Sequence, residues 1–169
     1  MRYFAYGSNM ATQRLRRRVA SAKPLGVARL PAYVLRFHKR SQDGSGKCNA
    51  FFTGVEADVV LGVLFEIDPA QKQDLDKAEG LGHGYIESHL EVHQPTGAVT
   101  AFAYIADPGA IDEMLKPFTW YRDIVIAGAK EHHLPKSYIT RLSETPASPD
   151  CDIARETRER ETLRTRPAA

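Results

Sequence analysis

Two cysteines, one tryptophan and a formal net charge of only +2 are spread over 169 residues, and no long apolar run interrupts them. Most of these scarcities exclude something. A membrane-spanning helix needs roughly 18 consecutive apolar residues, and no stretch approaches that length. The near-neutral balance leaves a whole-molecule field that argues neither for nor against an acidic partner. Cys48 and Cys151 lie far apart and share no metal-ligand spacing, which argues against both a disulfide scaffold and a zinc site. A reduced pair in a cytoplasmic protein is the expectation. The first residues carry no charged-then-apolar leader, so no secretory signal is expected.

What is present fits one domain with a real core. Residues 2–6 read as a strand, stopped by Gly7-Ser8-Asn9, with residues 10–18 as a helix and Asn9 as its N-cap. Residues 26–30 and 33–38 read as extended pieces broken at Pro31, and residues 41–47 as a flexible loop. Residues 49–55 and 59–67 are strand-like, and the run V-V-L-G-V-L-F suits a strand buried on both faces. Asp68-Pro69 opens a helix that ends at Gly80, and Gly80, Gly82 and Gly84 make a loop of little bulk. Residues 85–93 and 98–105 are strands, and residues 119–131 and 135–142 are helices. From residue 144 the apolar content collapses, which sets a domain over 1–145 apart from a charged tail over 146–169, with room in it for a surface helix. Consecutive strands outnumber helices. The fold class is therefore α+β, a small barrel or curled sheet with helices outside it.

Two stretches carry chemistry. A strand that ends in a glycine loop and feeds a helix presents free backbone N–H groups at Gly7, Ser8 and Asn9, suited to a carboxylate or an oxyanion. In D-L-D-K-A-E-G, Asp76 and Glu79 share a helix face, and Glu79 closes the helix. The negative helix end disfavours its ionised form, which suits a group that must take and then return a proton. Ser8 has no partner base and no G-x-S-x-G context, so it is not read as a nucleophile. Arg14 to Arg18 read as one solvated helix face rather than a nucleic-acid site. His89 and His93 with Glu87 and Glu91 read as the solvated face of a strand rather than metal ligands.

The order of these pieces is more telling than any one. F-A-Y-G-S-N at 4–9, D-K-A-E-G at 76–80 followed by G-Y at 84–85, and W-Y-R-D-I-V-I-A-G-A-K-E-H-H-L-P-K-S-Y at 120–138 resemble three ordered blocks of the γ-glutamylcyclotransferase family, and V-L-G-V-L-F-E-I resembles the strand before its glutamate helix. The resemblance covers residues 2–143 and is closest to bacterial members. It implies a closed or nearly closed mixed β-barrel of about six strands with flanking helices. It also implies a cofactor-free, metal-free reaction that cyclises a γ-glutamyl amide to 5-oxoproline. By resemblance Glu79 is base and then acid. The 7–9 loop cradles the substrate, and Tyr6, Tyr85 and Tyr121 wall the pocket and donate from their hydroxyls. The loop before Tyr85 is about one residue shorter than in animal members. The implied partner is a small γ-glutamyl substrate, free or bound to an acyl-carrier protein, with no nucleic acid and no membrane, on a monomer or homodimer. A non-catalytic binding or sensor module on the same fold is the alternative, and the presence of Glu79 favours the enzyme.

Overall fold

The structure is a computed structural model, and it describes residues 1–164. Five strands close a barrel in the order β1-β5-β2-β6-β7: β1 (Arg2–Ala5), β2 (Lys23–Pro31), β5 (Val59–Glu66), β6 (Tyr85–Gln94) and β7 (Gly97–Ala106). β5 lies between β1 and β2 and pairs antiparallel with both, and β7 meets β1 in parallel at Tyr3 and Phe102 to complete the ring. The central place of β5 accounts for its apolar run, because Val60, Val63, Leu64 and Phe65 are all buried. Gly62 interrupts that run for a steric reason. A Cβ there would lie 2.5 Å from the Ala5 carbonyl oxygen and 2.7 Å from the Phe4 ring, which occupies the space.

The barrel, expected to hold about six strands, holds five, because β3 (Tyr33–Arg40) and β4 (Gly46–Phe52) leave it as a separate antiparallel pair. The chain turns away at Ala32, whose φ of 64° lies in the left-handed region. Pro31 ends β2 just before it, one residue ahead of the actual turn. β4 also starts and ends about three residues earlier than the composition suggests, absorbing Gly46 and Lys47 from the polar loop.

Helices pack outside and set the site. After β1 the chain makes a single 3-10 turn over Ser8–Met10, and only then α1 (Thr12–Arg16). The expected helix over 10–18 is thus five residues long. Ala11, extended at ψ 107°, precedes it, and Asn9 caps nothing because its amide is spent elsewhere. α2 (Lys72–Glu79) follows a 3-10 turn whose start is capped by Asp68, with Pro69 at its first position. It ends at Gly80 in the left-handed conformation (φ 68°) that favours glycine. α3 (Thr119–Glu131) lies directly on the Ser8–Met10 turn, since Gly128 has no side chain to hold the two backbones apart.

α4 (Lys136–Glu144) follows, and α5 (Ile153–Glu161) lies in the charged tail. That tail is not wholly solvated. Asp150 is buried, accepting from the Trp120 indole N–H at 2.8 Å and from Arg155 Nε at 2.7 Å. These donors hold the Asp150 carboxyl well below the usual carboxylate range, the Arg155 contact foremost. Residues 165–169, the end of the expected tail, lie outside the described residues.

Candidate active site

The strand end and the helix end singled out in the sequence meet. β1 delivers Tyr6 and the 7–9 loop to a small cavity, and α2 delivers Glu79 to the same cavity. Tyr85 and Tyr121 also line it. Gly7 sits in close approach: a Cβ would lie 3.0 Å from Cys48 Cβ and 3.4 Å from the Tyr121 hydroxyl. Among the described residues, no acceptor is paired with the N–H of Gly7, Ser8 or Asn9. Those donors sit at a mostly buried loop, where an unpaired amide is costly unless something else meets it.

Glu79 is held asymmetrically. Its Oε1 accepts from Asn9 Nδ2 at 2.9 Å and from Arg18 Nη1, while Oε2 has no partner among the described residues. Asn9 completes the bracket, accepting from Arg18 Nη1 at 2.9 Å through Oδ1 and donating to the Tyr3 hydroxyl at 2.9 Å through Nδ2. One carboxylate oxygen is fixed and the other is left for a reactant. The Arg18 guanidinium also sets a positive charge against the negative end of α2.

The three expected tyrosines reach the cavity but differ in their hydrogen bonding. Tyr6 donates its hydroxyl proton to the Tyr104 carbonyl, and Tyr85 donates to the Cys48 carbonyl at 2.5 Å. Tyr121 accepts from the Cys48 N–H at 3.2 Å and gives no proton to any backbone carbonyl. Burial holds all three phenols far above their ordinary range, so they are neutral donors at physiological pH. Cys48, on the same wall, is pushed up to about 12 by burial and stays a thiol. Asp76, the other acid on that helix face, is occupied by the Tyr104 hydroxyl at 2.6 Å and by Lys72 Nζ at 2.5 Å.

The basic run is where the sequence reading fails. Arg14 is buried and pairs with Glu159 of α5 at 2.7 Å, and Arg17 donates to backbone carbonyls of the tail. Arg18 enters the site. The 14–18 run is therefore not one solvated face but a set of cations each given a partner. A signal existed in the spacing: on the expected 10–18 helix Arg14 and Arg18, four apart, share one side, although α1 itself ends at Arg16.

Comparison with known proteins places the chain in a family. A family model described as the AIG2-like family matches residues 59–142. The chain is 34% identical over 146 residues to a γ-glutamylcyclotransferase of Homo sapiens, covering 83% of this chain and 76% of that protein. It is 33% identical over 147 residues to the corresponding protein of Bos taurus, with the same coverage. A solved structure of a γ-glutamyl cyclotransferase superposes with a TM-score of 0.80 at 30% identity, over 88% of this chain and 89% of that one. With a barrel of the same shape and that level of identity across most of both sequences, the chain belongs to the γ-glutamylcyclotransferase family of enzymes.

Proposed function

We propose that the enzyme cyclises the γ-glutamyl group of a γ-glutamyl amide to 5-oxoproline and releases the amine. The observation that carries this reading is the arrangement of Glu79, pinned through one oxygen and open through the other, in the cavity that it lines together with the loop of three unpaired N–H groups. Glu79 takes a proton from the substrate's α-ammonium. The freed amine attacks its own side-chain carbonyl carbon and forms the C–N bond of a five-membered ring. The oxyanion that develops meets the N–H donors of the 7–9 loop. As the original amide C–N bond breaks, Glu79 returns that proton to the leaving nitrogen, and the second proton shed by the ring nitrogen converts the released amine to its ammonium. One carboxyl serves both transfers because the two nitrogens flank the same carbon. No external water or cofactor enters the balance.

Tyr6 and Tyr85 then act as walls whose hydroxyl protons are spent on carbonyls, and Tyr121 remains as a hydroxyl that can turn to the substrate. A cytoplasmic location and a monomeric or homodimeric state belong to the same proposal. The test is a panel of donors: γ-glutamyl dipeptides, γ-glutamyl-ε-lysine and a γ-glutamyl group on a carrier protein, with products read by NMR. The proposal expects 5-oxoproline from at least one donor. Free glutamate would mean hydrolysis instead, and no product from any donor would end the reading.

A further inference from the structure

Beside the tyrosine cavity lies a second, more polar one that shares Ser8, Glu79, Tyr85 and Tyr121 with it. Four cations line this outer cavity: Arg14, Arg18, Lys39 and Lys47. Three have carboxylates: Arg14 has Glu159, Arg18 has Glu79, and Lys47 has Asp43 at 2.7 Å. Lys39 has none among the described residues, and its ammonium makes no hydrogen bond there. Four positive charges against three negative leave room for one more anion.

Lys39 is built into this position. The residue is only 6% exposed, and its Nζ stands 4.4 Å from the centroid of the Tyr85 ring. A register shift in the β3–β4 pairing between Arg36 and Lys39 places His38 and Lys39 both inside, against the usual alternation. The 80–84 loop gives way to it. A Cβ at Gly84 would lie 2.8 Å from Lys39 Cε and 3.1 Å from Nζ. Burial pulls the Lys39 ammonium below its ordinary range, with Glu79 and Asp43 opposing that at longer reach. A buried ammonium held over an aromatic face without a counter-ion suits an anionic ligand group.

We infer that Lys39 is the residue that binds the free carboxylate of the leaving half when the substrate is a γ-glutamyl amino acid. The inference rests on the cyclisation reading. Lys39 borders the outer cavity and not the inner one, where the γ-glutamyl half would meet the 7–9 loop. In a γ-glutamyl amino acid the second carboxylate lies two bonds beyond the nitrogen that Glu79 protonates. Glu79 and Tyr85 border both cavities, so that carboxylate falls on the Lys39 side.

The test compares kcat/KM for γ-glutamyl-alanine and γ-glutamyl-alaninamide, with 5-oxoproline as the readout. The wild type should favour the acid by at least about tenfold. Lys39→Met should lose that preference by slowing on the acid while its rate on the amide stays close to wild type, and Lys39→Arg should keep part of it. Equal wild-type rates on the two donors would overturn the inference, and this comparison decides even if Lys39→Met does not fold. Equal losses on both donors in Lys39→Met would also overturn it, by placing Lys39 on the glutamyl half. Absence of turnover with either donor in the wild type would instead remove the cyclisation reading, and this inference with it.

Discussion

At the scale of single residues, Arg18 and Asn9 are the instructive pair. Asn9 looked like a helix cap, a role that needs only its side-chain oxygen. The structure uses both ends of its amide, with Nδ2 to Glu79 and Tyr3 and Oδ1 to Arg18. Arg18 grips the same Glu79 oxygen and so aims the carboxyl. Arg18→Met should therefore leave the fold intact and lower kcat by about 10 to 10² through misaimed Glu79, with a smaller change in KM, and Arg18→Lys should recover part of the loss. The Ser8 side chain makes no hydrogen bond among the described residues, so the cradle claim concerns its N–H. Ser8→Ala should change kcat/KM little. Ser8→Pro, which deletes that N–H, should lower it by about 10² or more, with circular dichroism checking the fold. Abolished activity in a folded Ser8→Ala would mean the hydroxyl, not the backbone, does the work. Glu79 was legible because D-K-A-E-G stands second among three ordered blocks; read alone, a carboxylate at a helix end before a glycine is an ordinary surface feature. Its partners were not, because the contacts that fix it cross 61 and 70 residues of sequence.

At the scale of elements, glycines set distances that hydrophobic patterning does not reveal. Gly128 lets α3 touch the Ser8–Met10 turn, and a Cβ there would fall 2.5 Å from the Ala11 nitrogen and 2.7 Å from the Met10 carbonyl carbon. Both obstacles are backbone atoms, which cannot swing aside. Gly128→Ala should destabilise the protein by about 1–3 kcal/mol in denaturant melts, and should lower activity as well because the displaced turn carries the cradle. Unchanged stability would show that α3 has slack the contacts do not suggest. The sequence revealed the elements whose patterns are local: the apolar run of β5, the Asp68-Pro69 start and Gly80 end of α2, and α3 itself. It misplaced what long-range contact decides. α1 is shorter because Asn9 and Arg18 are drawn to Glu79. The β3–β4 pair leaves the barrel at a left-handed Ala32, a conformation no composition signal marks.

At the scale of the whole molecule, buried titratable groups set the response to pH. All seven tyrosines are held above their ordinary 10.0, by burial foremost, and Cys48 is raised from 9.0 to about 12. Below about pH 9 these groups are neutral in both the folded and the unfolded chain and give no pH dependence. Above it the unfolded chain releases protons that the folded chain keeps. Stability is therefore lost as pH rises from about 9 through 12. Thermal melts at pH 8, 10 and 11 should show a falling Tm, and phenolate absorbance should rise together with unfolding rather than before it. A flat Tm across that range would contradict the burial of these groups. The α+β class was readable from the strand count, which left a barrel and a curled sheet both open, and the docking of the charged tail was not, since Glu159 and Asp150 look like solvated acids until Arg14 and Trp120 meet them.

The account as a whole turns on Glu79 acting as the proton shuttle of a cyclisation. The direct measurement is the initial rate of 5-oxoproline formation from a donor the wild type accepts, for wild type and Glu79→Gln, followed by NMR with folding confirmed in parallel. The wild type should give 5-oxoproline and free amine one to one, and the folded variant should be slower by about 10² to 10⁴ or more. A folded Glu79→Gln enzyme that cyclises the donor at the wild-type rate would contradict the account.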